Sequence, residues 1–274
     1  MSAHTCALSI AGSEARLVTA DAALSAALRE RYRAYLITTP DPACLTLRLN
    51  VIQTRAAAPT DRPFEFRQGV LEFTAASYEG DIDLDRANGQ LSFASPTPIV
   101  DADYFVRTAY ALLALHSGGL LLHAAGVVRG ARAFAFFGQS GSGKTTIARL
   151  SLPALVLNDD LVILRPQARQ WHVHATPFSH PTQVQPSAPY AAPLALLLRL
   201  VQNQRTFLNP ASPAHTTAGI IASTPVVSRD PGRSSLLFDR VQSLQEAVRV
   251  FELHFRPDAS FWPMIESHLS RQPD

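Results

Sequence analysis

The sequence predicts an α/β protein: a P-loop core preceded by a mostly antiparallel β, α+β region. Three observations predict it. "GQSGSGKT" at residues 138–145 satisfies G-x-x-x-x-G-K-[ST]. The apolar run "ARAFAFF" enters that loop and "KTTIARLSL" leaves it, the strand–loop–helix order that a phosphate-binding loop needs. Between residues 45 and 93, apolar and polar residues alternate with the period of half-buried strands.

The elements follow in chain order. "AALSAALRERYRAYL" carries apolar residues at helical spacing. "CLTLRLNVI", "FEFRQGVLEF" and "DIDLDRANGQLSF" alternate as strands, and Asn88-Gly89 signals a hairpin turn between two such runs. No catalytic pattern falls in residues 1–100, which read as scaffold or as a substrate-docking region. "SPTPIV" marks a boundary, so a second domain runs over residues 101–274. Asp101 or Asp103 is positioned to cap a helix through "YFVRTAYALLALHS", which Gly118 and Gly119 end. "LLLHAAGVVRG" and "ARAFAFFG" are apolar strands joined by a tight turn near Gly130. Pro153 stops the short helix after the loop, and "ALVLN" is a strand with Asp159 and Asp160 at its C-terminal end. The twenty prolines fall mostly after residue 150, which argues against long helices there.

Composition narrows the function classes. The chain has 274 residues, 47% hydrophobic and 17% charged, and suits one or two packed domains rather than a disordered chain. A formal charge of +2 advertises no nucleic-acid partner. Cys6 and Cys44 give neither a disulfide framework nor zinc spacing. No secretory leader and no uninterrupted membrane-length apolar run is visible, so the expectation is a cytoplasmic protein without a membrane partner.

The loop and the acids carry the chemistry. Gly138, Gln139, Ser140, Gly141, Ser142 and Gly143 allow backbone N–H groups to curl around phosphate oxygens. Lys144 reaches the β- and γ-phosphates, Thr145 offers a hydroxyl to Mg²⁺, and Thr146 continues the first helical turn behind the anion. ATP and Mg²⁺ are the cofactors this implies. Of Asp159 and Asp160, one can help hold Mg²⁺ and the other can take a proton from an attacking hydroxyl. Their mutual repulsion raises one pKa, and Mg²⁺ and Lys144 pull it back. Loop and acids read as a compact, hairpin-like unit.

From about Leu120 to Leu164 the chain resembles the HPr kinase/phosphorylase family: a strand bearing His123, a second strand, the P-loop, a short helix and "LVLNDDLVIL". The resemblance implies a P-loop core of the HPr kinase/phosphoenolpyruvate carboxykinase type over residues 101–274. It also implies phosphorylation of a seryl residue on a protein. It puts His123 on the family's active-site histidine and Asp160 on its general base, with Asp159 beside it. Lys144 and Thr145 fall on its phosphate and magnesium positions. The family's acidic residue followed by Arg-Gly-Leu-Gly does not follow Leu164, which implies a kinase without the reverse phosphorylase step. "HATPF" and "FELHFRPDASFW" resemble the shorter HPr-kinase-related proteins found beside ribosomally made peptide products such as lasso peptides. In that branch the implied acceptor is a serine or threonine hydroxyl on a precursor peptide.

The remaining candidates are plainer. His172 and His174 share a strand face with no third ligand and read as surface residues. His180 lies in a proline-rich loop that could cover the nucleotide, and Arg199, Arg205 and Arg256 read as surface charges open to a phosphate role. "SLQEAVRVFEL" reads as a helix leading into a strand. Three functions remain open: a kinase acting on a peptide or protein hydroxyl, a nucleotide-responsive regulatory or assembly ATPase, and a small-molecule alcohol kinase. Adjacent Asp159 and Asp160 favour a kinase.

Overall fold

The computed structural model describes residues 3–52, 64–75, 78–178 and 188–270. Among them are two eight-stranded sheets and six α-helices, a mixed α/β architecture. The first sheet is built from His4–Ile10 (β1), Ser13–Thr19 (β2), Leu36–Ile37 (β3), Leu45–Val51 (β4), Phe64–Arg67 (β5), Val70–Ala75 (β6), Tyr78–Asp83 (β7) and Asn88–Phe93 (β8). Helix Ala22–Arg31 (α1) follows β2, and Asp21 caps it by accepting from the Leu24 N–H at 2.7 Å. The strand order is β3-β1-β2-β4-β8-β7-β6-β5. The β2–β4 and β4–β8 pairings are parallel and the others antiparallel. Period-2 alternation buries Leu45, Leu47 and Leu49 on one face of β4.

The Asn88-Gly89 turn expected from sequence is displaced. The turn lies at residues 84–87, and Asn88 already pairs with Asp83 inside the ladder. Gly89 is needed for close approach instead: a Cβ there would stand 2.8 Å from Leu47 Cδ2 and 3.1 Å from the Asp81 carbonyl oxygen.

Helix Pro98–His116 (α2) starts earlier than expected. Thr97 is its N-cap residue and Pro98 fills the first turn, where a missing N–H costs nothing. Asp101 and Asp103 therefore lie within the helix and neither is its N-cap residue. Asp103 instead accepts from Arg31 Nε at 3.0 Å and from the Tyr32 hydroxyl at 2.8 Å, tying α2 to α1. The apolar face of α2 joins the two sheets. Phe105 meets Phe73 of the first sheet edge-on at 5.5 Å, and the Tyr110 hydroxyl donates to the Leu8 carbonyl at 3.2 Å. One cluster of buried side chains runs from Leu8 and Leu47 through Phe105 and Leu112 to Leu164 and Leu197.

The second sheet comprises Leu120–Arg129 (β9), Arg132–Phe137 (β10), Leu155–Asn158 (β11), Leu161–Gln167 (β12), Gln170–His174 (β13), Ala191–Gln202 (β14), Phe207–Pro210 (β15) and Val250–Phe255 (β16). Helix Lys144–Leu150 (α3) links β10 to β11. Pro213–Ala222 (α4) and Ser234–Ala247 (α5) precede β16, and Phe261–Ser270 (α6) follows it. β9 pairs with β12 over residues 120–123 and with β10 over residues 124–129, while β11 pairs with it too. β14 pairs with β13 at its start and with β10 and β16 further on. The pairings β10–β9–β12–β13–β14–β10 thus close on themselves. The loop and the acids are not a hairpin-like unit: β9 stands between β10 and β11, antiparallel to both, and α3 crosses over it. Phe134, Phe136, Leu196 and Leu198 pack with α3 and α6. Ala135, Phe137 and Leu197 belong to the core that holds Ile220 of α4 and Val241 of α5.

His174 is not a surface residue. It is buried, pairs through Nε2 with the Gln167 side-chain amide at 3.1 Å, and burial pushes its pKa down to about 4, so it stays neutral. Among the described residues no helix is long and apolar enough to cross a membrane.

Phe105→Ala should lower unfolding free energy by about 3–5 kcal/mol, the usual cost of emptying an aromatic core position. The shift should be read equally by fluorescence of Trp171 and Trp262, both in the second sheet's half of the molecule. Tryptophan signals that keep their wild-type midpoint would show that the core does not unfold as one.

Candidate functional site

β10 runs into the glycine-rich loop, and α3 starts at Lys144 with Gly143 as its N-cap residue. Two constraints make residue 143 glycine. Its φ of +107° is in the region side chains avoid, and a Cβ would sit 2.6 Å from Phe255 Cζ. Phe255 belongs to the "FELHFRPDASFW" segment, whose Phe261 and Trp262 pack beneath β10. Trp262 Nε1 donates to Ser151 Oγ at 3.1 Å just past α3. This segment is the backing of the loop.

Lys144 Nζ folds over the loop and donates to the Gly138 and Gln139 carbonyls at 3.0 and 3.1 Å. Burial lowers its pKa, and the Asp160 charge opposes that shift. Ser142 Oγ is buried with no hydrogen-bond partner among the described residues. A cradle with an ammonium over it and an unpartnered hydroxyl inside fits a polyphosphate. Gln139 and Ser140 are exposed on the loop's outer turn, and Thr145 and Thr146 are half-buried in the first turn of α3. Among the described residues no group of three or more His, Cys, Asp or Glu side chains could hold a metal by itself. Mg²⁺ bound with a polyphosphate would need few protein ligands, because it takes most of them from phosphate and water, so a hydroxyl such as that of Thr145 and one carboxylate would suffice.

The acids sit on a corner made by Asn158. β11 carries a bulge at Leu157, where Val156 pairs with Val127 and Asn158 with Gly126. Fully buried Asn158 accepts through Oδ1 from the Asp160 N–H at 2.7 Å and the Leu161 N–H at 3.1 Å. Its Nδ2 donates to the Thr176 carbonyl at 3.0 Å. Thr176 Oγ1 in turn donates to the Leu161 carbonyl at 2.5 Å. The "HATPF" segment thus clamps the acid corner, and its Phe178 is buried against Tyr32 and Tyr110 at 6.5 and 5.7 Å. Sequence reading passed over Asn158 and Thr176. The signal for Asn158 was the asparagine placed directly before the two aspartates, the residue that builds such side-chain turns.

Asp159 is buried at 1% exposure, whereas the Asp160 side chain is partly open at 19%. Asp160 Oδ1 is hydrogen-bonded to His123 Nε2. Burial alone would raise the Asp160 pKa. The His123 hydrogen bond and the charges of His123, Arg107 and Lys144 outweigh it, and the pKa lies below the usual carboxylate value. The charges around Asp160 therefore keep it ionised despite the burial.

Two cavities meet at His123. One, about 660 Å³, is lined by Gly138, Gln139 and Ser140 together with Arg199, His215 and Glu252. Arg199 is neutralised there by Glu252 at 2.5 Å. The other, about 680 Å³, holds His123 and Asp160 beside Tyr104 and Arg107 of α2. The structure brings together His123, Asp160, Lys144 and the loop. Arg256, which follows Phe255, is paired with Asp258 at 2.5 Å. Arg205 sits in the turn between β14 and β15, and His180 lies outside the described residues.

No family model and no curated protein matches the chain. Among solved structures it is similar to the Hpr(Ser) kinase/phosphatase from Coxiella burnetii, at 10% identity and a TM-score of 0.27, over 55% of this chain and 93% of that one. A TM-score of that size assigns neither a role to any residue nor an activity.

Asn158→Ala should destabilise the fold by at least about 1–3 kcal/mol, because the buried Thr176 carbonyl and the Asp160 and Leu161 N–H groups lose their partner. Chemical denaturation measures it. A loss below about 0.5 kcal/mol would show that the corner holds without Asn158.

Proposed function

We propose that this chain is an ATP- and Mg²⁺-dependent kinase acting on a serine or threonine hydroxyl of a peptide or protein. One observation carries the reading: the His123–Asp160 pair stands between the loop cavity and a second cleft, with Lys144 close enough to act on Asp160's ionisation. Phosphoryl transfer asks for a donor cradle, charge stabilisation and a base beside an open acceptor space, and that junction supplies each.

In the proposed reaction the acceptor oxygen attacks the γ-phosphorus. The bond from that phosphorus to the β–γ bridging oxygen breaks and ADP leaves. The hydroxyl proton passes to the Asp160 carboxylate, which His123 orients through Nε2. Bound Mg²⁺ would neutralise charge on the phosphate oxygens, with Thr145 and Asp159 the residues offered to it. The sequence resemblance supports the same roles. Beside Gly138, Arg199 is paired with Glu252. A lasso-type precursor peptide is the acceptor the "HATPF" branch suggests. A nucleotide-responsive ATPase would need no base facing a second cleft.

Lys144→Ala should abolish ATP binding in calorimetry without unfolding the protein, and Asp160→Asn should keep ATP while losing roughly 10²-fold or more of transfer, the usual span for a general base. Intact-mass analysis of candidate peptides with ATP and Mg²⁺ reads the transfer. An Asp160→Asn enzyme of full activity would place the base elsewhere.

The pH profile tests the pair separately. A depressed carboxylate pKa contributes stability above the ordinary value that is lost as pH falls through the folded pKa. Removing His123 takes away the largest lowering influence, so the Asp160 pKa must rise. The acid limb of kcat/KM should therefore move to higher pH in His123→Ala. A limb that stays in place would mean that Asp160 is not the titrating group.

A further inference from the structure

The cleft on the far side of the His123–Asp160 pair carries two guanidinium groups that the transfer step does not pair with a carboxylate. Arg107 of α2 and Arg229, in the 3₁₀ turn Val227–Arg229, both line it, and the one carboxylate lining it among the described residues, Asp160, is already bonded to His123. Neither guanidinium has a carboxylate within ion-pair distance among the described residues. Each rests on an aromatic ring instead: Arg107 over Tyr104 at 5.6 Å, Arg229 over Phe64 at 5.2 Å. A cation–π contact with a ring does not use up the N–H donors of a guanidinium, which stay able to bond a carboxylate. The two arginines come from distant parts of the chain, α2 and the turn after α4, and the ring under Arg229 comes from β5 of the first sheet. Uncompensated like charges in one cleft repel, and an anion entering between them relieves that repulsion.

Resting on the kinase reading above, the geometry points to an acceptor-recognition site in which Arg107 and Arg229 hold a side-chain carboxylate close in sequence to the phosphorylated hydroxyl. The substrate class is an acidic peptide segment. Arg107 acts electrostatically on Asp160, so the anion it holds lies near the hydroxyl that Asp160 deprotonates. Both arginines line one cleft with Asp160, so a carboxylate close in sequence to the hydroxyl is the one positioned to reach them. Phe64, Tyr104, Leu121 and Val226 give the same cleft an apolar wall for the backbone and neighbouring side chains.

The test compares C-terminally amidated, fluorophore-labelled peptides that differ only in Asp, Asn or Lys beside one serine, with the wild-type enzyme and with Arg229→Ala. Arg229 is exposed and takes no part in the transfer step, so ATP affinity and activity on the Asn peptide should not change. Wild-type kcat/KM should favour the Asp peptide over the Asn peptide by about ten- to a hundred-fold, the range of a charged hydrogen bond. Arg229→Ala should remove most of that preference, as should raised salt. Arg107→Ala should weaken the Asp peptide more than the Asn peptide; equal losses on both would make Arg107 a phosphoryl-stabilising group and overturn its recognition role. Phosphorylation of all three peptides at similar rates would overturn the inference and leave the kinase standing. If none is phosphorylated, anisotropy decides. Binding of the Asp peptide that is lost in Arg229→Ala upholds the anion site while the peptide-kinase reading falls, and absence of such binding overturns the site as well.

Discussion

Antiparallel pairing along β9 is the constraint on which the site depends. In one register Ala124 pairs with Phe137, the last residue of β10, so the glycine-rich loop leaves the sheet beside His123. In the other, His123 itself pairs with Leu161, so Asp160 arrives at the same place. A slip of one residue would turn His123 to the opposite face and break both relations. Gly126 lets this strand lie close against its neighbours, since a Cβ there would come within 2.9 Å of Val162 Cγ1.

The periphery is arranged to hold that strand and its two partners. Phe255, Phe261 and Trp262 back the loop from one side. Asn158 and Thr176 lock the acid corner from the other, and Phe178 couples that corner to Tyr110 on α2 and Tyr32 after α1. The His123 N–H donates to the Ser223 carbonyl at 2.7 Å, which fastens the end of α4 to the same strand. The side chains of Asn158 and Thr176 are satisfied by each other and by the backbone around them, and such networks specify one geometry because leaving any member unpaired is costly. The first sheet enters the site through this packing as well as through the cleft where Phe64 carries Arg229.

Electrostatics at the junction follows from the same placement. Asp160 is drawn into a partly buried position that by itself favours the protonated acid, and the His123 hydrogen bond together with the charges of nearby side chains, Arg107 and Lys144 among them, reverses that preference. Lys144 is pushed the other way by burial. The partly desolvated Lys144 ammonium gains from any anion that settles in the loop, whereas the ionised form of Asp160 is already favoured over its state in water.

The sequence by itself determined the local pieces: the loop from Gly138 to Thr145, the strands with period-2 burial, the short helix before Pro153, and the adjacency of Asp159 and Asp160. These depend on spacing and on the intrinsic limits of glycine, proline and apolar alternation, which act over a few residues. It misplaced features whose outcome depends on what packs opposite. Gly89 became a close-contact position in a strand because Leu47 lies against it, and Asp103 became an anchor for Arg31 and Tyr32 instead of a cap. His174 was buried by the second sheet's ladder. Only the tertiary structure decided that β9 separates the loop strand from the acid strand, that Arg107 from α2 reaches the site, and that Asn158 holds the corner. Strand order, register and the direction of a buried side chain are set by contacts between residues far apart in the chain, and neither composition nor spacing along one segment encodes which partner will be there.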